Sequence, residues 1–322
     1  MKDVIDEYFN IGLDAKTIED LEQRMQQAQK AIDINPNDIE AYKKMGSACY
    51  SLRKYNDAIH YYQKVIEMNP DYAEGYCDIG FAYHHLNNSE EAERYYQKAI
   101  SIDPNYYDAY FLKSSIHFVL KEYYETIKYC QKAIALNPKS GILYYQMGAV
   151  YSVLSKHKDA LRYFQKSLTV SPDDMHVIFL MGMEYEALEN NNDAIRCYQK
   201  VIQINPDYPG AYIQLGSLYA TLGEFGESLI YYKKAIDINP KSSQLHLLIG
   251  HLYVHLKEYQ EAIQSYQNVI DIDVEDNRAY ASIGHVYYRL GNKEEHLKYY
   301  RKAAQLGNKE IQKWMKKNGC KW

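Results

Sequence analysis

Residues 76–104 read YCDIGFAYHHLNNSEEAERYYQKAISIDP, and the pattern of this stretch returns at fixed spacing along the chain. Tyr76 stands four residues before Gly80, and Leu86 stands six after it; then come Ala92, Tyr96, Ala99 and the closing Pro104. The proline is the easiest mark to follow outward. Pro36, Pro70, Pro104, Pro138, Pro172, Pro206 and Pro240 are each 34 residues apart, and Pro209 alone is off this ruler. A fixed period of that length is the mark of a helical solenoid. Proline lacks an N–H and restricts the residue before it, so each Asn-Pro or Asp-Pro ends one helix and opens the turn into the next.

Ten residues after each proline comes a small residue: Gly46, Gly80, Ser114, Gly148, Gly182, Gly216 and Gly250. Glycine inside a helix costs about 1 kcal/mol. Its recurrence implies a compensating gain, and close approach of two helix backbones is the expected one. The leucine six residues on (Leu52, Leu86, Leu120, Leu154, Leu188, Leu222, Leu256, Leu290) is expected in the buried stripe of the first helix. The second helix keeps alanine at 58, 92, 160, 194 and 262, with Thr126, Ser228 and His296 as substitutes, and an aromatic residue four positions later in most repeats. Small residues at one register and large ones at another let helices interlock at interior density.

These elements closely resemble the tetratricopeptide repeat family: the aromatic residue, the Ile79-Gly80 pair, Tyr83, Ala92, Tyr96, Ala99 and Pro104, in that order. The resemblance covers nearly the whole chain. It implies an all-α fold, a right-handed superhelical solenoid of antiparallel helix pairs, with first helices on the concave face and second helices on the convex face.

The array is expected as a degenerate N-terminal repeat or cap over 1–38, eight repeats of 34 residues over 39–310, and a capping helix over 308–322. In the leading segment Tyr8, Gly12, Ala31 and Pro36 stand one period before Tyr42, Gly46, Val65 and Pro70, and Ile18, Leu21, Met25, Ala28 and Ile32 give a helical stripe. At the other end Ile311, Trp314 and Met315 make an apolar stripe after Gly307, with lysines on the remaining faces. A solenoid grows in one dimension, so 322 residues need not mean two domains.

Composition narrows the function class. The net charge of −5 argues against a general nucleic-acid binder, which carries a basic face. The five cysteines are odd in number, without disulfide or metal spacing, which fits a reducing, cytoplasmic setting. The first residues lack the basic start and apolar run of a signal peptide, and no apolar run approaches membrane-spanning length. No phosphate loop or nucleophile–base pair stands out, so neither enzyme nor cofactor chemistry is expected.

The resemblance also implies where a partner would sit. Carried onto this sequence, the groove registers of the first helices are Phe111, Leu112, Ser115, Phe118 and Val119, then Tyr145, Gln146, Ala149 and Val153. Phe179, Leu180, Met183, Glu186 and Ala187 follow, then Ile213, Gln214 and Ser217, then Leu247, Leu248, His251 and His255. The set is apolar and aromatic. Glu40, Lys43, Lys44, Glu74 and Asp78 make a mixed charged end, and Arg278 and Arg289 mark the other end. The lysine and asparagine clamp with which some relatives grip a terminal carboxylate is absent from these registers.

Two functions stay open: a scaffold that takes an apolar segment of a partner protein in its groove, or a protein that self-associates as its structural role. His251, His255 and His285 have partial metal spacing, but no Cys or carboxylate completes a set, and polar lining is the better reading. The second-helix lysines (Lys64, Lys98, Lys132, Lys166, Lys200, Lys234, Lys302) read as a solvated ridge, and Glu184 as a carboxylate reaching solvent or paired locally. Repeat three departs furthest from the pattern, through Lys113, Ser114, His117, Thr126 and Cys130.

Overall fold

The computed structural model describes residues 15–322. Tyr8 and Gly12, the first marks of the leading repeat, lie outside the described residues. Among those described there are eighteen helices and no strands. Contacts divide the chain into two compact units, Met1–Pro172 and Asp173–Trp322.

In the first unit, α1 (Ala15–Ile34) precedes four helix pairs: α2 (Ile39–Ser51) with α3 (Tyr55–Met68), α4 (Ala73–His85) with α5 (Ser89–Ile102), α6 (Tyr107–Val119) with α7 (Tyr123–Leu136), and α8 (Gly141–Val153) with α9 (His157–Val170). α1 runs unbroken and buries Leu21, Ala28 and Ile32, with Ala28 and Ile32 packed against Ala41 and Met45 of α2. In the second unit the pairs are α10 (Met175–Ala187) with α11 (Asn191–Ile204), α12 (Pro209–Thr221) with α13 (Phe225–Ile238), α14 (Ser243–His255) with α15 (Tyr259–Ile272), and α16 (Asn277–Arg289) with α17 (Lys293–Gln305). α18 (Lys309–Lys317) closes the unit, and its Met315 is fully buried against Tyr300 and Ala304.

The proline ruler marks turns between pairs. The residue before each ruler position, Asn or Asp except for Ser171, caps the second helix with its own N–H, as Asn69 does to the Val65 carbonyl. Its side chain then turns the backbone: Asn35, Asp103 and Asn205 each accept from the N–H two residues on. Asp273 does the same although Val274 holds the ruler position, so the Asx turn persists without proline. Pro209 occupies the first turn of α12, where its missing N–H costs nothing. Asp38, Asp174, Ser242 and Asp276 are side-chain N-caps of the first helices that follow.

The repeated glycine serves a different packing need from the one expected. The gain is not backbone against backbone but an aromatic ring laid on the helix. A Cβ built on Gly46, Gly80, Gly148, Gly182, Gly216, Gly250 or Gly284 would come within 2.6 Å of the ring sixteen residues later: Tyr62, Tyr96, Phe164, Tyr198, Tyr232, Tyr266 or Tyr300. Two of the substitutes at the alanine register use the carbonyl of that same glycine. Ser228 Oγ donates to Gly216 O at 2.6 Å, and His296 Nδ1 donates to Gly284 O at 2.9 Å.

The leucine is likewise not a buried stripe. It is the C-cap of each first helix, and Leu86, Leu120, Leu222 and Leu290 are exposed. The residue after it takes a left-handed backbone: Arg53, Asn87, Lys121, Ser155, Glu189, Gly223, Lys257 and Gly291 all have positive φ. The next N–H then reaches back to the helix, as Lys54 to Cys49 O, Glu122 to His117 O and Glu258 to Tyr253 O, which satisfies a terminal carbonyl. This cap is the tight turn within each repeat.

Candidate functional site

The first helices carry the expected groove registers, and packing sorts them. In the first unit Phe111, Leu112, Phe118 and Tyr145 are half-buried. Phe118 meets Tyr123 edge-on at 5.9 Å, and Tyr145 leans on Phe164 at 6.2 Å. Ser115, Gln146 and Ala149 are buried and do not line an open face. Val119 and Val153, one repeat apart at one register, are 45% and 47% exposed.

In the second unit Phe179 lies between Tyr198 and Tyr208, 5.5 Å from each ring. Leu180, Ile213 and Leu248 are half-buried, and Met183 is 42% exposed. Leu247, expected on the groove face, is only 4% exposed and belongs to the core with Tyr266, Ala279 and Ile283. Glu184 is buried on α10, which rules out the solvent-facing alternative and leaves local pairing open.

Repeat three is a polar knot rather than a drifted copy. Where the pattern has glycine and a ring, it has Ser114 and Cys130, and both small groups are fully buried. Gln146 from the following repeat fills the space, its Oε1 accepting from Ser114 Oγ at 2.9 Å and Cys130 Sγ at 3.2 Å while Nε2 donates to Ser115 Oγ. Burial pushes the Cys130 thiol up to about 12, so it is inert. Beside this, buried Lys113 donates to Gln97 Oε1 at 2.8 Å, pairs with Glu93 at 3.2 Å and lies 4.8 Å over the Tyr129 ring. His117 stacks on the same ring and bonds Glu122 at 2.6 Å. The buried polar side chains of Lys113, Ser114, Ser115, His117 and Gln146 each bond a neighbour, which makes the knot a specifier of packing rather than a ligand site.

The lysine ridge is also absorbed. Lys98, Lys132, Lys166 and Lys302 sit 5.5–6.0 Å over Tyr76, Tyr110, Tyr144 and Tyr280, the aromatic residues four before each small position. Such contacts contribute about 0.5–1 kcal/mol each at exposed sites.

Two clefts remain. The first, of about 680 Å³, lies where α1, α2 and α4 meet and gathers Lys43, Lys44, Glu40, Glu74 and Asp78, the mixed charged end read from the sequence. Lys43 bonds Glu40 at 3.1 Å and lies 4.9 Å over the Tyr72 ring, while the Tyr72 hydroxyl donates to Glu74. Burial, with Glu74 adding, raises the Asp78 carboxyl to about 7, and Lys43 offsets only part of this. The second cleft, about 540 Å³, has its walls on α14 and α16 and is lined by His251, His255, His285 and Arg289. Among the described residues no group of three His, Cys, Asp or Glu side chains is arranged to hold a metal, and no helix is long and apolar enough to cross a membrane.

The sequence matches the tetratricopeptide repeat family at residues 39–72 and 73–106, and at 107–140, 142–174, 209–242 and 278–308. A further match to the same repeat falls at 231–264, and matches to the TPR repeat at 182–223 and 250–291. The sequence has no match among functionally curated proteins. Among solved structures, the C-terminal part of a TPR repeat-containing protein from Cytophaga hutchinsonii is similar at 16% identity over 74% of this chain and 98% of its own, with a TM-score of 0.66. The Cut9–Hcn1 structure from the APC/C is similar at 17% identity over 84% of this chain and 54% of its own, with a TM-score of 0.52. YrrB, described as a TPR protein with an unusual peptide-binding site, matches at 23% identity over 57% of this chain and 95% of its own, with a TM-score of 0.47. At these identities the likeness is one of fold. With repeat matches spread over residues 39–308 and helix pairs built on the glycine–ring contact, the chain belongs to the tetratricopeptide repeat family of protein-interaction scaffolds.

Proposed function

We propose that the chain binds apolar segments of partner proteins on the faces of its first helices. The observation that carries this reading is the exposure of Val119, Val153 and Met183 beside half-buried Phe118, Phe179 and Leu180. Aliphatic side chains left open at repeating registers on packed helices suit recognition, because covering them releases water at no cost in folding. Burying three or four such groups at about 1.5–3 kcal/mol each, less the cost of association, leaves micromolar binding.

The test is capture from native lysate by the wild type and by a Val119→Glu/Val153→Glu/Met183→Glu variant. All three side chains are exposed, so the variant keeps its helical circular dichroism and thermal midpoint. A protein enriched only by the wild type supports the reading. Identical captures sink it. Capture of the chain alone, with mass that rises with concentration, moves the function to self-association.

A further inference from the structure

Among the described residues, the cleft on α14 and α16 gathers three imidazoles, Lys257 and Arg289, and no carboxylate. His251 and His255 stand one turn apart on α14, Lys257 follows in the turn, and His285 and Arg289 project from α16. Tyr259 and Tyr266 of α15, Tyr300 of α17 and Ile311 of α18 complete the wall, and no carboxylate lines it among the described residues. Several cations elsewhere on the chain pair with acids: Lys43 with Glu40, Arg94 with Glu91, Arg196 with Asp193 and Lys298 with Glu295. Arg289 instead points its Nε at His285 Nε2, 3.4 Å away, a cation donating to a neutral imidazole.

The groups also disfavour one another's charge. Burial and then His255 lower the proton affinity of His251, and burial, Arg289 and His296 lower that of His285. Two fixed cations set among three basic rings with no counter-ion are a local conflict that folding does not require, and such conflicts concentrate at functional sites.

We propose that this cleft is a binding site for acidic side chains of an extended partner segment, with Arg289, Lys257 and the three imidazoles as the recognising groups. The spacing favours separate carboxylates over one compact phosphate. His251 and His255 are a turn apart and His285 lies a repeat further, so each imidazole offers its own donor at a different place along the cleft. The tyrosine rings and Ile311 between them suit apolar residues alternating with the acids. A carboxylate that docks against His251 or His285, whose proton affinity burial lowers, favours the protonated ring, so binding takes up protons and tightens as pH falls.

The inference rests on the reading of the chain as a peptide binder but uses different residues. The probe is an acetylated, amidated peptide of alternating Asp and Phe, compared by calorimetry with its Asn and Phe counterpart, on the full chain. At pH 6 the acidic peptide is expected to bind at least tenfold tighter than the amide peptide, and at least tenfold tighter than it does itself at pH 7.5. His285→Gln/Arg289→Gln, at two exposed positions, removes the discrimination while the thermal midpoint stays put. Equal affinity for the two peptides overturns the inference, as does discrimination that survives in the double variant. A phosphoserine peptide that outcompetes the Asp peptide overturns it in favour of a phosphate site. Equal affinity for the two peptides while a partner is still captured through Val119, Val153 and Met183 overturns this inference alone and leaves the proposed function standing.

Discussion

At the scale of single residues, the chain is built from one recurring exchange of volume. A glycine gives up its Cβ so that a ring can lie on the helix, and where the ring is lost, as at Cys130, the glycine is lost with it, as at Ser114. The two departures in repeat three are therefore one event, closed by Gln146. Asp78 is the residue whose burial has a measurable cost. Its folded carboxyl titrates near 7 because burial and Glu74 disfavour the charge, against an ordinary value of 3.8. Between about pH 4 and pH 7 the folded state then holds more protons than the unfolded chain, so this group makes stability fall as pH rises. Asp78→Asn should leave stability unchanged at pH 4 and raise it by roughly 1–3 kcal/mol at pH 8, measured by urea unfolding at both values. An equal effect at both would mean that Asp78 is ionised throughout.

At the scale of helices, the sequence announced their number and spacing but not the purpose of all its marks. The prolines, the alanine register and the apolar stripe of α18 can be read directly because each reflects a local rule of chain geometry or amphipathic burial. The leucine could not be placed from periodicity alone. Six residues after the glycine falls at the helix end, where the C-cap geometry and not burial sets its place. Leu247 misled for a related reason, since burial depends on what packs above a residue, and no register states that. The clefts were half legible: the charged residues at both ends were visible, but not that Lys113 would be buried or that the imidazoles and Arg289 would face one space. The cap makes its own prediction. Lys121 holds φ at 62° in a turn that Gly223 and Gly291 occupy without penalty. Lys121→Gly should stabilise by about 1 kcal/mol, seen as a higher urea midpoint with unchanged slope. A lower midpoint would show that the Lys121 side chain, and not its backbone, governs that turn.

At the scale of the whole molecule, strong contacts within each unit join helices adjacent in sequence or one helix apart. Stability in such an array is a sum of pair and neighbour terms rather than a property of one core. A local defect should therefore have a local footprint, and Gly148→Ala supplies one. Its new methyl would lie 2.5 Å from Phe164 Cδ1, at a ring with no exposed surface through which to move away. Overpacking of this kind costs about 1–3 kcal/mol, against about 1 kcal/mol regained from helix propensity. The clash prevails when the ring cannot relax, so net destabilisation is expected. Native-state hydrogen exchange should then show faster exchange in α8 and α9, a smaller change in α6 and α7, and wild-type protection in α16 and α17. A uniform loss of protection across all of these helices would mean that the chain unfolds as a single cooperative body and that the neighbour-sum description fails for it.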